Sequence, residues 1–322
     1  MNPITLRPVQ PERDFEQIAA LFSIEQDEPS TTDAIAKDYA ENKDRILRLT
    51  AAVDASGQLT GFHWLSRGRL NPENTYLYLI VQPERRGQGI GARLYADLEQ
   101  AARDAQVEKL VVSVRDDCPA CRAFADARGF AEKSHTIGMT LDLADFDDRP
   151  YDDTIRMLQA QGFSFTTMEA LGNTEAAQRK LFQLNNTAAM QTPGTDGTPS
   201  WLSFEDFQRS VCQSDWYIPA AQMVVIDTAS GDWAAMSAIT RFQGVDYAYN
   251  LFTGVDSRYR GRKLAQAVKC LALRYARDVL QVCTVQTHHN AKNAPMIAID
   301  RKFGYTQTPG SYQMEKPLKT TA

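Results

Sequence analysis

Two turns in this sequence have the composition of anion-binding sites. In the first, a strand ending at Val81 and Gln82-Pro83 runs into Arg86, Gly87, Gln88, Gly89, Ile90, Gly91 and Ala92, which open a helix. The glycines let the backbone turn sharply and approach a ligand closely, where a Cβ would intrude. The unpaired N–H groups of the helix's first turn then meet the anion, and the helix dipole adds about 0.3–1 kcal/mol. No Gly-Lys-Ser/Thr follows, so this is not a P-loop, and the spacing fits a dinucleotide fingerprint poorly. The second turn runs from Val255 through Arg258, Arg260, Gly261, Arg262 and Lys263 to Leu264 and Ala265, a basic cluster with Lys263 at the place of Gly89. Tyr249 and His289 are acid/base candidates near this second turn, histidine being suited to proton transfer near neutral pH. Packing or surface roles are open to both. Tyr76 and Tyr78 are the corresponding candidates near the first turn. Cys118 and Cys121, separated by Pro119-Ala120, suit a dithiol at a helix start. Zinc would need four ligands, and Cys212, Cys270 and Cys283 lie at unrelated spacing.

The elements that carry these residues occur twice. Arg86 and Arg260 are 174 positions apart, as are Gly57 and Gly231, and Gly129-Phe130 matches Gly304-Tyr305 at 175. Such self-similarity marks a duplication. Each copy reads as an opening strand (4–7; 163–166), an amphipathic helix (14–22; 175–184) and a hairpin around Gly57 or Gly231. A strand (76–81; 247–255) then enters the anion turn. A helix (89–105; 264–279), a strand (109–114; 281–287), a short helix and a final strand beyond Gly129 or Gly304 complete each copy. Hairpins mixed with crossovers predict an α/β (α+β) fold with a mixed sheet. The spacing divides the chain into domains 1–148 and 149–322, the second opening with a linker helix over 152–161. Residues 191–200, before Trp201, form a long loop without counterpart in the first copy, a feature often functional.

Composition bounds the function. With 322 residues, 23% charged and 43% hydrophobic, the chain is globular and large enough for two domains. The net charge of −5 argues against a nucleic-acid or membrane-surface partner. It divides into −8 for residues 1–148 and +3 for the remainder, part of which is the cluster around Arg260. The first residues lack a signal-peptide layout, and no apolar run approaches the ~18 residues of a membrane span. Five cysteines, an odd number, read as free thiols of a cytoplasmic protein.

The run Arg86-Gly87-Gln88-Gly89-Ile90-Gly91 resembles the R/Q-x-x-G-x-G/A acyl-CoA motif of the GCN5-related N-acetyltransferase (GNAT) superfamily. The second copy is similar to it through Arg260–Ala265, Asn293 and Gly304-Tyr305. The likeness spans nearly the whole chain, so it implies two tandem GNAT domains, a pseudo-dimer within one monomeric chain. In that fold two central strands splay apart, and the pantetheine arm of acetyl-CoA pairs with backbone near Leu79 and Val81, or Phe252 and Val255. The pyrophosphate would rest on Arg86, Gly87, Gln88, Gly89, Gly91 and Ala92, or on Arg260, Gly261, Arg262, Lys263 and Ala265, with Asn293 a further cofactor contact. The resemblance implies direct attack of a small-molecule amine on the thioester, with an acceptor pocket shaped by the first helices and the 191–201 loop of the second copy.

Departures from the pattern bear on which copy works. Lys263 replaces the motif's first glycine, either neutralising phosphate or filling the site. The usual tyrosine acid is Ala125 in the first copy and Asp300 in the second, and the cofactor-contacting asparagine is Cys118 in the first. The second copy is favoured for chemistry. A non-catalytic acyl-CoA-binding protein and a protein lysine or N-terminal acetyltransferase are the alternatives.

Overall fold

A computed structural model describes residues 4–25, 30–68, 73–195, 197 and 199–318. In chain order the elements are β1 (Thr5–Pro8), α1 (Pro11–Glu25), α2 (Thr32–Asn42), β2 (Ile46–Val53), β3 (Leu59–Arg67), β4 (Asn74–Val81), α3 (Ile90–Asp104), β5 (Lys109–Arg115) and α4 (Pro119–Asp126). They continue as β6 (Ala131–Asp142), α5 (Pro150–Ala160), β7 (Phe163–Thr167), α6 (Glu175–Met190), α7 (Phe204–Phe207), β8 (Gln222–Asp227), β9 (Trp233–Thr240), β10 (Ala248–Val255), α8 (Leu264–Asp278), β11 (Thr284–Asn290), α9 (Ala294–Phe303) and β12 (Thr306–Pro317). Two compact units result: Met1–Lys133 with Ser311–Ala322, and Ser134–Gly310.

The two units repeat one topology. In unit 1 the order is β1-β2-β3-β4-β5-β12, antiparallel except for the parallel pair β4/β5. In unit 2 it is β7-β8-β9-β10-β11-β6, antiparallel except for β10/β11. The duplicated hairpin-then-crossover pattern thus yields the expected mixed sheets. The boundary drawn from the spacing at 148/149, by contrast, falls inside unit 2. The strand after each Gly-aromatic pair was expected to close its own copy. Instead, Ser311–Pro317 of β12 pairs with β5 in unit 1, and β6 pairs with β11 in unit 2. Period-2 alternation marks a strand but cannot say which sheet edge it takes.

Apolar periodicity builds the cores. Ile90, Leu94, Leu98 and Ala102 of α3 are buried at helical spacing, as are Leu264, Ala267, Val268 and Leu273 of α8. Helix α2 was not expected: it buries only Ile35, so its periodicity is faint, and its signals are Thr31 capping the Ala34 N–H and Asp33 in the first turn.

Candidate active site

Each unit has a cleft where its parallel strands part. In unit 1 the β4/β5 ladder runs from Asn74/Lys109 to Leu77/Val112 and stops, so Tyr78 to Val81 stand off from β5. In unit 2 only Ala248/Val285 and Tyr249/Gln286 pair before β10 leaves β11. Clefts of about 530 Å³ and 370 Å³ open there.

The anion turns close one end of each cleft and are nearly superposable in conformation. Gly87 and Gly261 have φ of 75° and 78°; Gly89 and Lys263, N-caps of α3 and α8, have φ of 80° and 67°. Lys263 therefore adopts the left-handed conformation that glycine takes in the first copy, at a cost an L-residue rarely accepts. The leading arginines act as struts: Arg86 Nε donates to Val81 O at 3.1 Å, and Arg260 Nε to Val255 O at 3.3 Å. Their outer nitrogens differ in partner. Arg86 is ion-paired to Glu25, whereas Arg260 donates to the neutral Gln191 Oε1 at 2.9 Å. The unit 2 turn consequently keeps more of its positive charge for an anion.

Most of the expected contacts line the clefts. Leu79, Val81, Arg86, Gly87, Gly89, Gly91 and Ala92 line that of unit 1, and Val255, Arg260, Gly261, Lys263, Ala265 and Asn293 that of unit 2. Gln88 does not: its side chain turns back to Glu84 O. Phe252 packs with the Leu181–Phe207 core, and the Arg262 guanidinium sits over the Tyr259 and Phe163 rings. Gln191, Thr192 and Pro193 of the long loop also border the unit 2 cleft, while 196 and 198 lie outside the described residues.

Sequence reasoning did not single out several groups here. Opposite β9, the β10 register slips between Asn250 and Phe252, so Leu251 is bulged out of the ladder. A bulge frees backbone groups and re-aims them, a common device beside active sites. In unit 1 the β3/β4 ladder runs unbroken from Gly61/Val81 to Arg67/Thr75. Polar groups brace the bulge, Asn250 and Thr287 being buried: Asn250 Nδ2 donates to Ala238 O at 2.9 Å, Thr253 Oγ1 to Asn250 Oδ1 at 3.2 Å, and Thr287 Oγ1 to Asn250 O at 3.0 Å. Gly254 is required next to it. A Cβ there would stand 2.5 Å from the Phe252 ring and 2.7 Å from Ala188.

Tyr249 and His289 lie on opposite faces of the sheet. Tyr249 occupies the last rung before β10 and β11 part, and its hydroxyl is 2.6 Å from His288 Nδ1, the rings stacking at 5.7 Å. Trp216, Phe242 and Tyr249 form a chain of ring contacts on that face. His289, one residue further along β11, points the other way, as alternation requires. Its Nε2 is 2.6 Å from Asp300 Oδ2, and the fully buried Lys269 pairs with the other carboxylate oxygen. Burial alone would raise the Asp300 pKa, but the His289 hydrogen bond and the Lys269 charge outweigh it and hold the carboxyl below its usual range. Thus Asp300, at the position of the usual tyrosine acid, is a structural anion, and His289 is its partner rather than Tyr249's. The signal for His288 was its adjacency in the His288-His289 pair, whose facing only the strand register decides.

The cysteines require a correction. Cys118 and Cys121 form a disulfide with Cα–Cα of 5.3 Å, because the first turn of α4 brings residues three apart together. Cys212, Cys270 and Cys283 are free thiols. Among the described residues no group of His, Cys, Asp or Glu is arranged to hold a metal, and no helix is long and apolar enough to cross a membrane.

Residues 13–130 match the model of the acetyltransferase (GNAT) family. In fold the whole chain is similar to a GCN5-related N-acetyltransferase from Sphaerobacter thermophilus, at 17% identity and TM-score 0.72, covering 100% of this chain and 98% of that one. It is also similar to a tandem GNAT protein from the clavulanic acid biosynthesis pathway, at 18% identity and TM-score 0.71, covering 99% and 100%. A glucosamine N-acetyltransferase region of a fungal multi-domain β-N-acetylglucosaminidase matches at 15% identity and TM-score 0.72, covering 98% of this chain and 38% of that one. No curated relative matches the sequence.

Proposed function

We propose, from the match of residues 13–130 to the GNAT family model and the tandem GNAT fold of the whole chain, that the protein transfers an acetyl group from acetyl-CoA to a primary amine of a small molecule, with the chemistry in unit 2. The observation that carries this reading is the meeting of three features in one unit: a cleft between parted strands, a cationic turn at one end, and the Tyr249–His288 pair where the strands separate.

The residues present fit an acyl-CoA. The turn at Gly261 is open, with nothing within 4 Å of an added Cβ, so its backbone amides can meet a pyrophosphate. Gly254, Val255, Leu264 and Met296 give the cleft an apolar wall suited to a pantetheine arm. Bound acetyl-CoA supplies the thioester acyl group.

Everything else falls to the chain's own groups. Backbone N–H released at the Leu251 bulge is available to a thioester carbonyl, an oxyanion-type contribution. An alkylamine of pKa ~10.4 costs about 4.6 kcal/mol to deprotonate at pH 7, so a proton acceptor is required. The Tyr249 hydroxyl lies 2.6 Å from His288 Nδ1, so the pair can relay a proton: the hydroxyl takes one from the amine as it gives its own to His288, and the pair returns one to the leaving sulfur. His289 takes no part in this reading, being held by Asp300 on the other face.

Unit 1 supports a second reading for itself. With Ala125 at the acid position and no bulge in β4, its larger cleft suits acyl-CoA binding without transfer. One experiment addresses both: CoA release with an amine panel, using Ala265→Glu and Gly91→Glu variants. Loss of turnover with Ala265→Glu and its retention with Gly91→Glu is the expected result. The opposite pattern moves the chemistry to unit 1, and acetyl-CoA binding without turnover on any amine, but with acetylated lysines on added protein, replaces the acceptor class.

A further inference from the structure

The unit 1 cleft carries one reactive group that the acetyl-transfer reading leaves unused. Cys121 lines the cleft beside Ala120, Phe124 and Ala125, and it is bonded to Cys118. Cys118 is the N-cap of α4, the place Asn293 takes at α9 in unit 2. Its Sγ accepts the Cys121 N–H at 3.3 Å. Ala125, one helical turn beyond Cys121, stands where the resemblance expects a group that protonates the CoA sulfur. The cleft therefore combines an anion turn, an apolar channel and an S–S bond along the wall where a thiol end would reach.

We propose that the unit 1 cleft is a thiol–disulfide exchange site for CoA-type thiols, with Cys121 the sulfur that takes up the thiol and Cys118 the leaving and resolving thiol. The proposal rests on the reading that this cleft holds a CoA-type ligand. The exchange balances without any outside oxidant. A CoA thiolate forms a bond to Cys121 Sγ, the Cys118–Cys121 bond breaks, and Cys118 departs as a thiolate that takes up the proton the CoA thiol released. The products are a Cys121–CoA mixed disulfide and the Cys118 thiol, and the reverse step restores the starting pair.

The direction of cleavage follows from position. Cys121 faces the cleft, whereas Cys118 does not line it. A thiolate at a helix N-terminus receiving an N–H is stabilised, and the better-stabilised thiolate leaves faster. Arg128 lines the same cleft, its guanidinium stacked 3.2 Å over the Phe124 ring, and adds positive charge to that wall. Where unit 2 carries Asn293 and a proton-transfer pair, unit 1 carries a sulfur pair.

The test uses the full chain with Ala265→Glu closing the unit 2 cleft. Acetyl-CoA, which has no free thiol, is first titrated by calorimetry to ask whether unit 1 binds it. Cys118→Ser is then added, serine being itself a favoured N-cap so that α4 is kept. That variant is incubated with CoA disulfide or with glutathione disulfide and followed by intact mass and peptide mapping. The expected result is one CoA per chain, on Cys121, at least tenfold faster than glutathione labelling and suppressed by excess acetyl-CoA. Oxidised chain with native cysteines should also open its disulfide with CoA faster than with glutathione. If acetyl-CoA binds but CoA disulfide reacts no faster than glutathione disulfide, the exchange proposal is wrong and the CoA-binding reading of unit 1 stands. If acetyl-CoA does not bind, that reading fails, and this proposal fails with it.

Discussion

Replacing Lys263 by glycine should move two observables in opposite directions. Lys263 holds φ of 67° at the N-cap of α8, where Gly89 holds 80° at the N-cap of α3. The left-handed conformation costs an L-residue about 1–2 kcal/mol. Glycine gives back about 0.5–1 kcal/mol of that through its looser unfolded chain. The substitution should therefore stabilise unit 2 by about 0.5–1 kcal/mol, a rise of about 1–4 °C in its melting temperature by calorimetry. The ammonium is exposed, so its attraction for a pyrophosphate is solvent-screened to about 0.2–1 kcal/mol. Acetyl-CoA affinity measured in a Gly91→Glu background should fall by up to about fivefold at low salt. The loss should vanish near ~1 M salt, where the screening length is ~3 Å. A variant that is more stable and also binds acetyl-CoA as tightly or more tightly would refute the electrostatic role and show that the lysine side chain fills the site.

Three further outcomes follow from other contacts. Tyr249→Phe and His288→Gln should each lower kcat by about 10²-fold with little change in the KM for acetyl-CoA, and the double variant should be no worse than either single one, because the two act as a unit across 2.6 Å. Asp300→Asn leaves the buried Lys269 charge unpaired and should cost about 3–5 kcal/mol in urea unfolding, whereas Lys269→Met with Asp300→Leu should recover most of it. Stability should fall as pH drops below about 4. For Asp97, burial alone would raise the pKa, but hydrogen bonds from Arg48, His63 and Thr50 hold it below its ordinary 3.8, and Asp300 is likewise lowered. The unfolded chain then binds those protons first, so the contribution present above the ordinary carboxylate pKa is lost on acidification. Urea midpoints that stay level between about pH 6 and about pH 3 would contradict this.

What the sequence determined is what depends on neighbours along the chain. Turn conformation and helix onset are short-range, so the residues around Gly89 and Lys263 predicted two matching anion turns, and period-2 and period-3.6 patterns predicted two mixed sheets. The Cys118–Cys121 pair was equally local and legible as a dithiol, but counting five cysteines as free thiols overrode the spacing. The tertiary structure decided what depends on segments meeting from afar. The choice of sheet edge for β6 and β12 is made by long-range pairing, so spacing along the chain does not place the boundary between the units. His288 and His289 differ by one residue along the strand, and a one-residue difference in register exchanges faces. Only the pairing of β10 with β11 puts His288 against Tyr249, and only the packing of α8 and α9 puts Asp300 between His289 and Lys269. Local physics wrote the anion turns into the chain; long-range packing chose which side chains stand beside the clefts they close.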